Sequence, residues 1–310
     1  MNLSYANALS TASQACSSQD FPNGCLFVVA TPIGNLADIT LRAIHTLSLC
    51  DYLACEDTRE SKNLLNSYGI DKPHGAWIAL HQHNEAELSP QIITKLEQGA
   101  RIAFLCDAGT PSISDPGAWL VHCVQTAGFK VVPIPGVSSV TTLLSVSGLM
   151  GQSGFHFLGF LSTKATERDR QIKSIEQTHV PTVLLEAPHR IEALAQSLSC
   201  LGHRHVTVGR ELTKQYEQII TLPADQLSTW LGADRNRTRG EFALIVHVSP
   251  QGAQSDTAPY VEILKVLLSE LSLKGSVKLA QLLTGASKNE LYNLALNLTK
   301  DGDTGSSHRN

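Results

Sequence analysis

Short apolar runs separated by polar turns recur along the chain and predict β-strands at residues 26–30, 102–105, 130–134, 182–186, 205–209 and 242–248. Between the first three runs, apolar residues recur at helical spacing. Leu41, Ile44 and Leu47 mark one helix, capped by Asp38 or Thr40, and further helices are predicted at 90–98 and 119–127. Alternating strands and helices predict an α/β domain with a largely parallel sheet over residues 24–136.

The pattern changes after residue 136. Residues 137–150 are small and apolar, and the strands that follow lie closer together with fewer helices between them. This predicts a second domain of mixed α and β structure over residues 137–250. A polar, turn-rich linker is expected at 250–257.

Both ends of the chain differ from these two domains. Residues 251–310 are expected to hold the linker and a small helical segment, with helices at 260–271, 277–283 and 288–298. Ser287 and Glu290 have the spacing of a capping box for the last helix. These helices fit either a nucleic-acid-binding module or a packing appendage. Residues 1–23 lack the features of a signal or transit peptide, and we expect a loose N-terminal extension.

Composition narrows the class of protein. Hydrophobic residues make up 42% of the 310 residues and charged residues 17%, which is ordinary for a globular protein. No apolar run approaches the roughly 20 residues of a membrane span, so no membrane association is expected. The seven cysteines form no CxxC pair and favour reduced thiols in a cytoplasmic protein. Neither close histidine pair, at 81/83 and 203/205, has a further ligand at metal spacing, so no metal site is predicted.

The formal charge of −4 argues against a protein that coats nucleic acid indiscriminately. Residues 160–240 nevertheless carry more Lys and Arg than Asp and Glu. Arg168 and Arg170 lie close together in this stretch. A polyanion, if one binds, is therefore expected to contact this region.

Three loops rich in glycine, proline and hydroxyl residues follow predicted strands of the first domain, at 30–35, 106–117 and 133–139. In an open parallel sheet, ligands bind beyond the carboxyl ends of the strands, so the three loops are expected to form one binding edge. No Walker A motif or GxGxxG sequence is present. The three loops offer backbone groups, hydroxyl side chains and the carboxylate of Asp107 to a ligand. These groups suit a cationic, adenosine-like molecule better than a triphosphate.

The second domain places polar residues at strand ends in three segments, 185–190, 209–217 and 239–242. Each of them mixes acidic and basic side chains. Taken singly, each segment fits a surface ion pair or a helix cap. Taken together, they are typical of the second wall of a cleft.

Several of these segments carry a resemblance to a known family. The matching residues are 31–36, 38–42, 56–59, 107–117, 133–136, 188–190, 210–214 and 240–241, within a region from 24 to about 250. The chain resembles the tetrapyrrole methylase superfamily of S-adenosylmethionine-dependent methyltransferases, also called class III methyltransferases. Within that superfamily it is most similar to the branch that methylates ribosomal RNA.

The resemblance implies two α/β domains of the tetrapyrrole methylase type, with the methyl donor S-adenosyl-L-methionine in the cleft between them. It also implies a homodimer. The activity it implies is 2′-O-methylation of a cytidine ribose in the decoding region of 16S rRNA, within the small ribosomal subunit.

The resemblance also implies roles for individual residues. Cofactor binding is expected from Pro32, Gly34, Asp107, Ala108, Gly109, Thr110, Ser138, Ser139, Ala187 and Leu212. On chemical grounds, the candidates for the general base are Glu211, Glu186 and His189, and either Lys214 or Arg190 could hold an RNA phosphate. RNA contacts are expected from Arg190, Arg210, Arg168 and Arg170.

Two other functions stay open at this point. One is a tetrapyrrole C-methyltransferase of the same fold, although the loop at 30–35 lacks the GxGxGD-like pattern of such enzymes. The other is a non-catalytic RNA-binding factor in ribosome assembly, which would use residues 160–240 and the C-terminal helices.

Overall fold

The computed structural model describes residues 7–149, 154–249 and 258–303. The linker expected at 250–257 falls outside the described residues, as does Met150. Two five-stranded sheets and a group of three C-terminal helices make up the described chain. The prediction of two α/β domains followed by a helical segment is therefore confirmed.

The first domain holds a sheet of five parallel strands in the order β3-β2-β4-β1-β5. Its elements in chain order are α1 (Ala8–Ala15), β1 (Cys25–Val29), α2 (Leu41–Leu49), β2 (Tyr52–Cys55), α3 (Thr58–Ser67), β3 (Trp77–Ala79), α4 (Glu85–Glu97), β4 (Arg101–Leu105), α5 (Ala118–Thr126) and β5 (Lys130–Ile134). Apolar side chains cover both faces of the sheet, as burial on both sides requires. Because β4, β1 and β5 are neighbours, the loops that follow them meet at one edge.

The second domain holds a mixed sheet in the order β6-β7-β10-β8-β9, in which only β6 and β7 run parallel. Its elements are α6 (Ser139–Val146), β6 (His156–Phe160), α7 (Ala165–Gln177), β7 (Thr182–Glu186), α8 (Ile191–Leu198), β8 (His205–Arg210), β9 (Gln218–Pro223), α9 (Leu227–Gly232) and β10 (Phe242–Val246).

A shared apolar cluster joins the two domains. Ile33, from the loop after β1, packs with Leu143 of α6 and with Val183, Leu212 and Ile245 of the second domain. Leu143, Val183 and Ile245 are fully buried. The cluster fixes the loop after β1 against the second sheet, beside the cleft.

The C-terminal helices are α10 (Ala258–Glu270), α11 (Leu273–Thr284) and α12 (Lys288–Asp303). They form a separate apolar cluster whose buried members are Leu264, Val277, Ala280, Leu291 and Ala295. The helix predictions for this segment are confirmed.

The structure differs from the expectation of a loose extension at residues 7–21. These residues include α1, which packs on α2 and buries Ala12, Cys16 and Phe21 in the first core. The apolar residues of α1 are mostly alanines, so the sequence shows little hydrophobic periodicity there. Small side chains allow a close approach between helices, which a search for large apolar residues misses.

The starts of helices α2 and α4 can be compared with the starts predicted from the sequence. Thr40, one of the two predicted caps, accepts a hydrogen bond from Ala43 N and begins α2. The prediction of a helix start at Pro90 is wrong, since α4 begins at Glu85. The buried Glu85 carboxylate accepts hydrogen bonds from Gly117 N and Leu120 N, which fixes the first residue of α4 against the start of α5.

Candidate functional site

Hydrogen bonds join the three loops at the carboxyl ends of β1, β4 and β5. Thr31 N donates to Gly109 O at 2.9 Å, and Gly109 N donates to Thr31 O at 3.0 Å. The Thr110 hydroxyl donates to Val137 O at 3.0 Å. Three segments that are distant in sequence therefore form one continuous wall, at the edge where a parallel sheet binds ligands.

A cavity of about 360 Å³ lies between this wall and the second domain. Its volume is within the range of about 300–1,000 Å³ of small-molecule sites. Eight residues that the sequence analysis singled out line it: Ala108, Gly109, Thr110, Ser138, Ser139, Glu186, Ala187 and Leu212. Both domains contribute to the wall, so the cavity depends on how they pack.

The lining also includes residues that sequence reasoning missed, namely Ile113, Asp115, Phe160, Glu241, Phe242 and Ala243. Asp115 belongs to the loop at 106–117, and Glu241 belongs to the polar segment before β10. Their positions in these segments were a usable signal. Phe160 ends an edge strand, and no local pattern marks it as a cavity residue.

Every charged residue among those that line the cavity is acidic: Asp115, Glu186 and Glu241. Burial raises the pKa of Asp115 above its ordinary value, and the nearby Asp107 adds to that rise. Burial also raises the pKa of Glu186, although hydrogen bonding to Ala187 N and the charge of Arg190 oppose it. A cavity lined in this way favours a cationic ligand over a polyphosphate.

Glu186 is held in one orientation. Its Oε1 atom accepts a hydrogen bond from Ala187 N at 2.8 Å and lies 3.1 Å from Arg190 Nε. Arg190 also donates to Leu161 O. The carboxylate is therefore fixed at the cavity wall, and the guanidinium of Arg190 is occupied within the fold.

Lys214 links two carboxylates at the rim of the cavity. Its Nζ donates to Glu211 Oε1 at 2.9 Å and to Glu241 Oε2 at 3.2 Å. Glu241 N also donates to Glu211 Oε1 at 3.0 Å. Burial alone would lower the pKa of Lys214, but the hydrogen bonds to these carboxylates outweigh it and raise the pKa above its ordinary value. The ammonium stays charged.

Two glycines make room for this cluster, which we call the Lys214 cluster (Glu211, Lys214 and Glu241). A Cβ atom on Gly34 would lie 2.3 Å from Lys214 Cγ, and one on Gly240 would lie 2.4 Å from Glu211 Cδ. Glu211 and Thr213 have left-handed backbones, with φ values of 52° and 67°. Such strain in residues other than glycine persists only where the surrounding structure enforces it, and it is concentrated at functional sites.

Besides Glu211, Lys214 and the arginines, four residues predicted to be functional lie away from the cavity lining. Gly34 packs on Lys214. Asp107 faces the start of α3, where its Oδ1 accepts a hydrogen bond from Asp57 N at 3.2 Å. His189 is exposed in the turn after β7, and Pro32 is buried in the loop after β1. Their predicted roles stay predictions.

The four arginines predicted to bind RNA have different surroundings. Arg210 is buried and donates to Arg239 O, Tyr216 O and Gln218 Oε1. Arg190 is paired with Glu186. Both guanidinium groups are engaged by partners within the fold, and their RNA contacts stay a prediction. Arg168 is half-buried and donates to Ser197 Oγ.

Arg170 alone of the four has a freely accessible side chain, which is 80% exposed and 3.4 Å from Glu167. The sequence placed these four arginines in a stretch with more basic than acidic residues, but it did not show which of them face solvent. An arginine at a strand end often donates hydrogen bonds to carbonyl oxygens of neighbouring loops and does not face solvent. No local sequence pattern distinguishes such an arginine from one that is exposed.

We expect the Lys214 cluster to make the stability of the fold depend on pH in the acid range. Burial opposes the charge of Glu211, but the hydrogen bonds from Lys214 and Glu241 N outweigh it and hold the pKa of Glu211 below its ordinary value. The folded state therefore binds this proton less readily than the unfolded state. The resulting stabilisation is present above the unfolded pKa and is lost as the pH falls through the folded pKa.

We therefore expect the Tm difference between wild type and Glu211→Gln to be largest near about pH 7 and to shrink below about pH 4.3, the ordinary pKa of glutamate. Thermal unfolding followed by circular dichroism across this range measures it. Glu97→Gln, which changes an exposed carboxylate at the end of α4, is the control. A Tm difference that does not depend on pH would contradict the assignment.

The described residues were also compared with the requirements of a membrane span and of a metal site, and they meet neither. None of the helices there is long and apolar enough to cross a membrane. Nor does that part of the chain bring three or more His, Cys, Asp or Glu side chains together in a group suited to a metal ion.

The chain matches two family models. The model described as tetrapyrrole (corrin/porphyrin) methylases matches residues 25–228. The model described as the RsmI C-terminal HTH domain matches residues 254–299. The first match covers the cavity lining except for Glu241, Phe242 and Ala243, and the second covers most of the C-terminal helices.

Individual proteins are similar over most of the chain. The ribosomal RNA small subunit methyltransferase I of Neisseria meningitidis serogroup B is 41% identical over 88% of this chain and 93% of its own. The protein of the same name from Pseudomonas aeruginosa is 42% identical over 88% of this chain and 97% of its own. Among solved structures, a cobalt precorrin-4 methyltransferase superposes with a TM-score of 0.52 at 14% identity, over 72% of this chain and 95% of its own. At that identity the likeness concerns the fold alone.

Proposed function

We propose that this chain transfers a methyl group from S-adenosylmethionine to small-subunit rRNA. The chain belongs to the tetrapyrrole methylases and, within them, to the ribosomal RNA small subunit methyltransferase I family. The observation that carries the proposal is the acid-lined cavity at the strand ends, in a chain about 40% identical to rRNA methyltransferases.

The residues present fit this donor. A sulfonium and an ammonium group carry positive charge, and Asp115, Glu186 and Glu241 are the charged residues of the lining. Ile33, Leu212 and Ala243 offer apolar surface to an adenine ring, and Ser138 and Ser139 offer hydroxyls. When bound, the donor supplies a methyl group that is electrophilic because it is attached to sulfonium.

The protein's own contribution is to position the acceptor and to manage its proton. Holding reacting atoms in line contributes on the order of 7–11 kcal/mol when the arrangement is good. The charged ammonium of Lys214 lies at the rim of the cavity, where it can hold a phosphate or stabilise negative charge on the acceptor oxygen. Glu241 lies on the lining and contacts Lys214, so it connects this ammonium to the cavity.

The three candidates for the general base differ in position and in their hydrogen-bond partners. Glu211 already accepts two hydrogen bonds and has a lowered pKa, which makes it a weak base. His189 is exposed and outside the lining. Glu186 lies on the lining and has a pKa above its ordinary value, so it is the stronger base of the two glutamates. We assign it either proton transfer or orientation of the donor.

Within this activity we propose a cytidine ribose in the decoding region of 16S rRNA as the acceptor, methylated at its 2′-oxygen. The support is the match of the loops at 31–36 and 107–117 to the rRNA-methylating branch of the superfamily. The exposed Arg170 and the half-buried Arg168 on α7 are the remaining candidates for RNA contacts.

We propose a cytoplasmic homodimer that acts on the small ribosomal subunit. Support for a dimer comes from the exposed apolar side chains near and along the edge strand β6, which are Phe155 (44%), Leu158 (44%) and Phe160 (50%). An edge strand with exposed apolar side chains is normally covered by a partner.

The test uses purified protein, donor with a labelled methyl group, and small subunits from a strain in which the gene is deleted. Label is expected in rRNA, on the 2′-oxygen of one cytidine, as identified by mass spectrometry of nucleosides. Ala108→Arg, which puts a cation in the acid-lined cavity, is expected to abolish donor binding measured by calorimetry. Ala127→Arg, an exposed change at the end of α5, is the matched control and retains it. Wild-type protein that binds the donor but leaves the rRNA unlabelled would overturn the proposed acceptor.

A further inference from the structure

A further cavity, of about 630 Å³, adjoins the acid-lined cavity proposed to hold the methyl donor. The two cavities share Ser114 and Asp115 in their linings. The loop after β4 and the start of α5 contribute most of the further cavity, and Glu56 and Gln82, which follow β2 and β3, complete it. We call it the Trp119 cavity, after the tryptophan on the first turn of α5. It lies at the carboxyl ends of the strands, where a parallel sheet binds ligands.

The part of the Trp119 cavity nearest α5 is held in place from inside the fold. The buried Glu85 carboxylate accepts hydrogen bonds from Gly117 N at 3.0 Å and from Leu120 N at 2.7 Å. These bonds fix the loop before α5 and the first turn of the helix, which carries Trp119. The ring of His122 lies 5.7 Å from the indole, measured between centroids. The lining is therefore supported by the fold, as a specific binding site requires.

The Trp119 cavity combines an aromatic surface with carboxylates. Trp119 is 52% exposed, and its indole offers a surface on which a flat ring can stack. Partial burial and the charges of Asp107 and Asp115 raise the pKa of Glu56. None of the residues that line this cavity is a lysine or an arginine, which disfavours a phosphate. Within the described residues, the carboxylates also form no group suited to a metal ion. The lining suits an uncharged flat ring that carries an amino group.

The proposed reaction requires the base of the acceptor nucleotide to lie close to the donor. In a nucleoside, the base is attached to the carbon next to the one that carries the 2′-oxygen. A base bound for methylation must therefore occupy space that adjoins the donor cavity. Another cavity also adjoins it, through Ser138, but the residues that line this one include no aromatic side chain. Of these two cavities, only the Trp119 cavity offers a stacking surface.

We propose that the Trp119 cavity binds the base of the acceptor cytidine, with its ring stacked on Trp119 and its exocyclic amine donating to Glu56. Acidic side chains commonly accept hydrogen bonds from this amine, whereas uracil carries an oxygen at the same position, which a carboxylate repels. Enzymes that modify a nucleotide commonly take it out of its stack and bind it in a pocket. The inference rests on the proposed function and assigns the choice of base to residues of the first domain.

The first test compares small subunits that carry either cytidine or uridine at the acceptor position, both from the deletion strain. Wild-type protein is expected to prefer cytidine by about tenfold or more in kcat/KM. Glu56→Gln is expected to lower kcat/KM for cytidine about tenfold but not for uridine, because a carboxamide can donate to the uracil oxygen. Glu60→Gln changes an exposed carboxylate in the first turn of α3, outside this cavity, and is the matched control. It is expected to keep the wild-type preference.

The second test removes the stacking surface. Trp119→Ala is expected to raise the KM for small subunits about tenfold, the effect of losing one stacked base. Trp119→Phe keeps an aromatic ring and is expected to restore most of the affinity. Because Trp119 and Glu56 lie outside the lining of the donor cavity, calorimetry is expected to give a donor Kd within about twofold of wild type for each variant.

Four results would overturn the inference. They are equal kcat/KM for cytidine and uridine in wild-type protein, the wild-type preference in Glu56→Gln, the wild-type KM in Trp119→Ala, and a KM in Trp119→Phe no better than that of Trp119→Ala. Weakened donor binding in Glu56→Gln or Trp119→Ala would assign these side chains to the donor site and would overturn it as well. Wild-type protein that labels neither kind of small subunit would instead contradict the proposed function itself.

Discussion

Replacing Lys214 with methionine is expected to lower kcat for rRNA methylation about 10²–10³-fold, the usual cost of removing one charge-stabilising donor. Methionine keeps most of the length of the side chain but removes the ammonium that joins Glu211 and Glu241. Because Lys214 lies outside the cavity lining, the donor Kd is expected to change by no more than about twofold. Single-turnover kinetics and calorimetry measure the two quantities separately.

A second variant tests the same geometry without changing a charge. Gly34→Ala would place a methyl group 2.3 Å from Lys214 Cγ and so displace the lysine, and it should reproduce the loss of kcat. Gly154→Ala adds the same methyl group at a similar φ, 148° against 154° for Gly34, but where no atom lies within 4 Å, and it serves as the control. A full methylation rate in both Lys214→Met and Gly34→Ala would remove the Lys214 cluster from the mechanism.

Replacing Glu186 with alanine is expected to lower the free energy of unfolding by about 3 kcal/mol and to weaken donor binding. Removing one partner of a buried ion pair costs about 3–5 kcal/mol, because the remaining charge is left uncompensated. The lower value applies here, since the Arg190 side chain is 20% exposed and solvent offsets part of the loss. Urea unfolding measures the stability, and calorimetry measures the donor affinity.

The double variant Glu186→Ala/Arg190→Met separates the ion pair from other effects. It leaves no unpaired cation, so its stability is expected to lie closer to wild type than that of Glu186→Ala alone. Donor binding should stay weak in both variants, because both lack the carboxylate at the cavity wall. A double variant less stable than the single one would show that Arg190 stabilises the fold mainly through its bond to Leu161 O.

The first domain illustrates how much of the site the sequence could predict. Strands β1, β4 and β5 and the loops after them were recognisable, because apolar runs and glycine- and proline-rich turns are local signals. Parallel topology then brought the three loops together. Short elements such as β2 and β3 escaped detection, since three or four residues carry little periodicity.

The second domain illustrates the limit. Glu186, Arg190, Glu211 and Lys214 were all recognised as polar residues at strand ends. Whether each one faced the cavity, the rim or the interior depended on contacts with residues far away in sequence. Arg210, for example, is buried because it donates to Arg239 O, 29 residues later in the chain.

The sequence by itself determined the family, the two α/β domains and the loops that form the cavity wall. These features follow from local periodicity, turn chemistry and motifs whose residues are close together in the chain. Only the tertiary structure decided that the charged residues of the lining are acidic, that Lys214 joins Glu211 to Glu241, and that Arg190 and Arg210 serve the fold. Those facts depend on the directions of side chains and on packing between the two domains, and neither is encoded within a short segment.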